Sequence, residues 1–339
     1  MFKDMLSKLL QRADLSRDEM LAVMRQVMAG ELTPAQISAL LVALRIKGET
    51  VDEIAAAAQV MRELSTKVTI ADTTHLIDTC GTGGDGIQTF NVSTVSAVVA
   101  AAAGAKVAKH GGRSVSSTCG SADVLEALGV NVNLNPEQVA ASVDQIGIGF
   151  MFAPNHHSAM KHSAPVRREL GVRTLFNLLG PLTNPAGAKR QLMGVFDPAL
   201  TGKLAQVLKQ LGSEHVLVVH GADGMDEISF SGDTYVAELK NGEVKEFVLN
   251  PQMFGMSLHQ ASSIRVQNAA ESKAMILDVL NGKIGAARDI VLLNAGAAIY
   301  VAGVVEGLQD GIAKAAEVID NGAAKTKMEQ LIAFSKQQG

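Results

Sequence analysis

Over the first 70 residues, apolar positions recur every third or fourth place, as at Ile37, Leu40, Leu41 and Leu44. That spacing marks one buried helix face. Three capping boxes punctuate the stretch: Ser16 with Glu19, Thr33 with Gln36, and Thr50 with Glu53. In each, the hydroxyl can meet an N–H of the first turn while the carboxylate or amide reaches back. Pro34 stands at a first-turn position where no N–H is needed, and Gly30 and Gly48 stand where helices close in the left-handed conformation. The pattern predicts a small helical bundle with nothing chemical in it.

After Val68 the period changes. Short apolar runs alternate with longer amphipathic ones: "HLIDTC", "VSAVVAAAAGA", "KVAKH", "ADVLEALGV", and later "EHVLVVHG", "DTYVAEL" and "SIRVQ", followed by helical sequence from Glu271 onward. Alternation of strand and helix predicts an α/β domain with a mainly parallel central sheet flanked by helices. Residues 162–180 read as helical and are expected to pack with the bundle. The chain therefore divides into a small all-α domain, 1–70 with a contribution from about 162–180, and a large α/β domain, 71–339.

Composition narrows the partners. With 339 residues, 47% of them hydrophobic, 19% charged and a net charge of -4, the chain has ample core and no global attraction to nucleic acid or an anionic membrane. Any anion site must be local. The N-terminal residues carry charges throughout, without the apolar run of a secretion signal. The longest apolar stretch, 290–305, is shorter than the roughly 20 residues of a spanning helix and contains Asn294. Two cysteines, Cys80 and Cys119, suggest neither a disulfide framework nor a thiolate metal site. A cytoplasmic location is expected.

The densest punctuation is "DTCGTGGDGIQTFNVST", where glycines occupy 81, 83, 84 and 86 directly after a short apolar run. Gly81, Gly83 and Gly86 satisfy the spacing of a dinucleotide turn, but "IQTFN" intervenes before the helix and the next strand ends in the basic "KHGGR". The motif requires an immediate helix and a later acidic residue, so that reading fails. No Gly-Lys-Ser/Thr follows, which removes a Walker loop. An anion nest remains, built from backbone N–H groups, with Ser93 or Thr94 available to cap the next helix. Lys109, His110 and Arg113 with the "SVSS" hydroxyls would reach the same sheet edge, and the set suits a highly phosphorylated ligand. A loop carrying Asp223, Asp226 and Glu227 follows another strand and offers hard oxygen ligands for Mg²⁺. His156, His157 and His162 lack cysteine or carboxylate partners at zinc-ligand spacing.

"GTGGD" at 81–85, "NVST" at 91–94, "KHGGR" at 109–113, "GSADVLEALGV" at 120–130, "VRRELGVRTLFNLLGPLTNPA" at 166–186 and "DGMDE" at 223–227 together resemble the anthranilate phosphoribosyltransferase family. The resemblance implies a fold of the nucleoside phosphorylase/phosphoribosyltransferase type and a homodimer. It also implies transfer of the phosphoribosyl group from 5-phosphoribosyl 1-diphosphate to anthranilate, releasing pyrophosphate, in tryptophan biosynthesis. On matching positions, Gly81, Gly83, Gly84, Asp85, Thr89, Asn91, Val92, Ser93, Thr94, Lys109, His110, Gly111, Gly112, Arg113, Ser114, Val115, Ser116, Ser117 and Ser121 are expected to contact the donor. Gly81, His110, Gly112, His157, Arg167 and Pro181 are expected around anthranilate, and Ser93, Asp226 and Glu227 around Mg²⁺, two ions per subunit. Lys109 and Arg113 are the expected catalytic cations. Gly112 departs from the family, where Asn is common, and leaves no amide to hold anthranilate there. The alternatives are a pyrimidine nucleoside phosphorylase-like enzyme and a non-catalytic nucleic-acid-binding relative.

Overall fold

The computed structural model describes residues 1–113 and 119–338. The chain opens with four helices: α1 (Phe2–Leu10), α2 (Arg17–Ala29), α3 (Pro34–Lys47) and α4 (Val51–Leu64). All three expected capping boxes form, with both reciprocal hydrogen bonds present at Ser16, Thr33 and Thr50. Gly30 closes α2 in the left-handed conformation, whereas Gly48, at φ 87° and ψ 118°, turns the chain out of α3 without a left-handed cap.

The α/β part follows as β1 (Leu76–Thr79), α5 (Val92–Ala102), β2 (Lys106–Gly111), α6 (Ser121–Leu128), α7 (Pro136–Ile146) and β3 (Ile148–Phe152). Three short helices, α8 (Ala153–His156), α9 (Ala164–Leu170) and α10 (Phe176–Leu179), lead to β4 (Arg190–Gly194) and α11 (Leu200–Gln210). Then come β5 (His215–Gly221), β6 (Thr234–Lys240), β7 (Glu243–Leu249), and helices α12 (Ala269–Leu280), α13 (Ala286–Val301), α14 (Leu308–Asp320) and α15 (Ala323–Gln337).

Seven strands form one sheet in the order β3-β2-β1-β4-β5-β6-β7. The first five run parallel and the last two add as antiparallel hairpins. Alternation along each strand splits the side chains between two cores. Ile77, Val107, Leu192, Leu217 and Val219 face α5 and the C-terminal helices. Met193, Val195, Val216 and Val218 face α11 and the bundle, whose own apolar residues continue that same cluster. Val166, Leu175, Phe176, Leu178 and Leu179 join it, so the 162–180 segment does pack with the bundle, broken at Gly171 into separate turns.

One expected strand is not a strand. "SIRVQ" runs through a 3₁₀ turn (Ala261–Ile264) and meets the glycine loop only through an isolated Thr89–Arg265 bridge. Its backbone is held by Phe90 N donating to Ile264 O and Val266 N to Gln88 O, so it braces a loop and belongs to no sheet.

Candidate active site

In an open parallel sheet, ligands bind beyond the carboxyl ends of the strands where the strand order reverses. Here the reversal lies between β1 and β4, which are paired neighbours whose successors, β2 and β5, lie on opposite sides of them. Residues 81–86 cross that point. Gly83, Gly84 and Gly86 all have positive φ (63°, 79° and 76°), a conformation available to glycine without steric cost. Thr82 N donates to Gly194 O at 2.9 Å, and Gly83 N to the Asp226 Oδ2 at 2.9 Å. The loop is therefore pinned to the ends of β4 and β5 together.

Gly194 makes this convergence possible. A Cβ there would sit 1.5 Å from the Asp226 carbonyl oxygen, so only hydrogen fits between β4 and the acidic loop. A single glycine in "LMGVF" gives no hint of this in the sequence.

Helix α5 presents its N-terminus to the same crevice, but neither Ser93 nor Thr94 caps it. Asn91 takes the cap position without capping: its side chain accepts from Ser272 Oγ at 2.7 Å and donates to Cys119 O at 3.1 Å. That side chain is committed to anchoring α5 on α12. Thr94 Oγ1 is buried without a partner among the described residues, and Val92 is buried beneath it in the core.

Lys109 and His110 lie within β2 and are almost fully buried, not at a loop tip. The Lys109 ammonium donates to Thr79 O and to Ser93 Oγ (3.2 Å), which fixes a cation between the end of β1 and the start of α5. Gly111 lies against Ser121, whose Cβ and Oγ would both stand 3.2 Å from an added methyl. Arg113 goes elsewhere. Its exposed guanidinium pairs with Asp123 (3.0 Å) and Glu126 (2.5 and 2.8 Å) on α6, so the structure does not bring it to the crevice as a free cation. Ser114, Val115, Ser116 and Ser117 lie outside the described residues.

Asp85 of the glycine loop faces two further carboxylates, Asp226 and Glu227. Burial, then Asp85, pushes Asp226 up to about 7; burial, then Asp226, holds Glu227 well above the usual carboxylate range. Lys109 and the Ser93 N–H act in the opposite sense on Glu227. Like charges enclosed this way call for a cation. An all-oxygen donor set with a hydroxyl beside it fits Mg²⁺, so the residues present suit that ion. Asp223 is not part of the group: its carboxylate accepts from Ser229 Oγ (2.6 Å), Ser231 Oγ and Met225 N, and serves to shape the turn.

Another trio has closer ligand atoms. Those of Asp78, Cys80 and His110 lie within 4.8 Å of one another, the one such grouping among the described residues. Burial lifts the Asp78 carboxyl to about 6 and raises the Cys80 thiol further, and the mixed O/S/N set does not match a hard ion. The acidic loop, with oxygen donors alone, is the better match to a hard ion.

The remaining expected residues line a second wall. His110 and His157 meet with ring centroids 5.1 Å apart and planes tilted by 58°, both held neutral by burial first and by neighbouring histidines next. Among the described residues no ring nitrogen of His110 makes a well-formed hydrogen bond, although the Gly180 backbone lies close, and Pro181 follows it in a buried 3₁₀ turn. Arg167 is half-buried, lies over the Phe176 ring at 5.3 Å, and has no ion pair among the described residues; burial lowers its pKa. Its neighbour Arg168 is exposed. The three histidines of the 156–162 stretch diverge: His156 Nδ1 meets Thr66 O at 3.0 Å, His157 meets His110, and His162 packs on Gly30.

Residues 73–325 match the glycosyl transferase family, a/b domain, and residues 3–65 its helical bundle domain. The anthranilate phosphoribosyltransferase of Methylobacillus flagellatus is 66% identical over 331 residues, covering 98% of this chain and 97% of the relative. That of Chromobacterium violaceum is 61% identical over 334 residues, 98% of each. The chain belongs to the anthranilate phosphoribosyltransferase family. Among solved members of that family, the Thermus thermophilus crystal structure superposes with a TM-score of 0.92 at 43% identity, covering 98% of this chain and 99% of the other. The Saccharomyces cerevisiae enzyme, solved in complex with PRPP and Mg, superposes with a TM-score of 0.88 at 29% identity over 99% and 98%. The family resemblance and the fold class read from the sequence are both borne out.

Proposed function

We propose that this chain transfers the 5-phosphoribosyl group of 5-phosphoribosyl 1-diphosphate to the amine of anthranilate, releasing pyrophosphate. The observation that carries the reading is the three-way junction of Gly81–Gly86, Gly194 and the Asp226–Glu227 loop, at the switch point and beside the buried Lys109 cation. Breaking the C1–O bond puts positive charge on the sugar and negative charge on the departing diphosphate. Preorganised donors then do most of the catalysis: the Lys109 ammonium, the glycine-loop N–H groups and the first turn of α5.

Ser93, Asp226 and Glu227 would hold magnesium, with Asp85 adjacent. When bound, the ion supplies charge neutralisation for the diphosphate. Two ions per subunit belong to the same reading, matched to a diphosphate that carries several negative charges. Arg113 would reach the donor by exchanging Asp123 and Glu126 for phosphate oxygens; solvent screens exposed pairs of this kind, so the exchange costs little.

Arg167 would take the anthranilate carboxylate on its planar fork, with His110, His157, Gly112 and Pro181 around the ring. An arylamine is neutral at pH 7, so the nucleophile needs positioning and no dedicated base. We assign residues 1–70 with 162–180 to the acceptor-side helical unit and 71–339 to the donor-side α/β unit. A homodimer in the cytoplasm is part of the same reading. Among the described residues no helix is long and apolar enough to cross a membrane. The acidic loop and the net charge of -4 favour this over a phosphate-using nucleoside phosphorylase or a nucleic-acid-binding relative.

Anthranilate consumption and pyrophosphate release are measured together, with Mg²⁺ and with chelator. Stoichiometric, Mg²⁺-dependent turnover is expected; cleavage of a pyrimidine nucleoside by inorganic phosphate in its place would overturn the reading.

A further inference from the structure

Arg173 stands in the short connection between α9 and α10, on the helical side of the crevice, and reaches across to the donor loop. Its guanidinium donates to the Gly84 carbonyl oxygen and lies 4.0 Å from the centroid of Phe196, in the connection after β4. Phe196 is tied in turn to the same loop, its N–H donating to Thr82 Oγ1 at 3.2 Å, and Thr82 N donates to Gly194 O at 2.9 Å. One side chain thus touches the glycine loop and the segment that pins it. Arg173 has no carboxylate partner among the described residues, so its charge is not spent on an ion pair.

A trans peptide carries its C=O and the following N–H on opposite edges. Holding the Gly84 oxygen toward Arg173 therefore turns the Asp85 N–H away from Arg173. In a loop of left-handed glycines, with no Cβ to restrict rotation, that peptide has few other restraints. From this geometry we propose that Arg173 is a positioning residue for the donor: it sets the orientation of the Gly84–Asp85 peptide, and with it the loop that receives the diphosphate. The proposal rests on the function argued above. It gives the acceptor-side helical segment, which also carries Arg167, a direct hold on the donor site.

A flat fork that stacks on Phe196 while donating to a carbonyl is a task lysine does not perform. Steady-state kinetics of Arg173→Ala and Arg173→Lys, with Phe196→Leu alongside, test this. Expected is a rise of about tenfold in the KM for phosphoribosyl diphosphate in both Arg173 variants, a smaller rise in Phe196→Leu, and anthranilate KM and kcat within about twofold of the parent. Restoration by lysine would mean that charge alone matters and would overturn the proposal. So would equal rises in both KM values, or unchanged donor KM. Thermal melts of each variant identify any that fail to fold, and Phe196→Leu then carries the test. Because the unaltered enzyme is assayed first, failure of the parent activity is distinguishable from failure of the Arg173 assignment.

Discussion

Gly194→Ala should damage the site more than any single methyl elsewhere in the sheet. The added Cβ would lie 1.5 Å from the Asp226 carbonyl oxygen and 2.4 Å from its carbonyl carbon, against an ordinary contact of about 3.4 Å. Relief requires the acidic loop or β4 to retreat by nearly 2 Å. Both neighbours are backbone, so no side-chain rotation helps. Overpacking of this kind costs about 1–3 kcal/mol. Retreat also stretches the Thr82–Gly194 and Gly83–Asp226 hydrogen bonds, each 2.9 Å and each contributing about 1 kcal/mol. The combined loss is about 3–5 kcal/mol. Urea denaturation in Mg²⁺-free buffer would measure it, and donor KM, through the displaced glycine loop, should rise by at least tenfold. Parent-like stability together with a parent-like donor KM would show that the three-way junction is not rigid and would refute the reasoning.

Asp226 sets a pH dependence whose sign follows from its raised carboxyl. Stability from that group is full below about pH 4 and is lost as pH rises through about 7; in chelator the parent should weaken between about pH 4 and 7, and Asp226→Asn less so. Parallel pH courses for the two proteins would remove the claim. Arg167→Ala should raise anthranilate KM about 30-fold, the equivalent of roughly 2 kcal/mol for a lost charged fork, while donor KM stays within about threefold. Equal effects on the two substrates would count against it. Gly112→Asn meets nothing within 4 Å of its Cβ among the described residues, so stability should change by less than about 0.5 kcal/mol and anthranilate KM should fall; calorimetry and kinetics check both.

The helical start was legible because its signals are local. Ser16, Thr33 and Thr50 each satisfy their own first turn, with no help from distant residues. A fourth box, Asn135 with Gln138 behind Pro136, used the same grammar and was open to the same reading. So was the β6–β7 hairpin: Asn241 and Gly242, at φ 53° and 75°, form the turn that asparagine–glycine pairs favour. Strand β7 escaped notice because most of its residues are exposed and give no apolar alternation. Strand β4 was hidden for the opposite reason. Its Arg190 and Gln191 look like loop residues until Ala302 O and Pro181 O are present to receive them.

At the site, residue types were readable and partnerships were not. The glycine loop, Lys109 and the Asp226–Glu227 pair came from adjacent positions in sequence. The roles of Gly194 and Arg173, and the capture of Arg113 by α6, depend on contacts between segments far apart in the chain or on a turn of helix that composition does not locate.

The segment between β3 and β4 carries His157, Arg167, Arg173 and Pro181, whereas the groups proposed to meet phosphate hang from β1, β2, β4 and β5. On the function proposed above, the acceptor-side groups His157, Arg167 and Pro181 thus lie on one continuous insert of about forty residues, with His110 and Gly112 of the β2 end as the exceptions. A graft of that stretch from a relative with a different aromatic amine preference would re-address the enzyme while leaving its leaving-group apparatus untouched, provided the graft keeps the arginine that reaches back to Gly84.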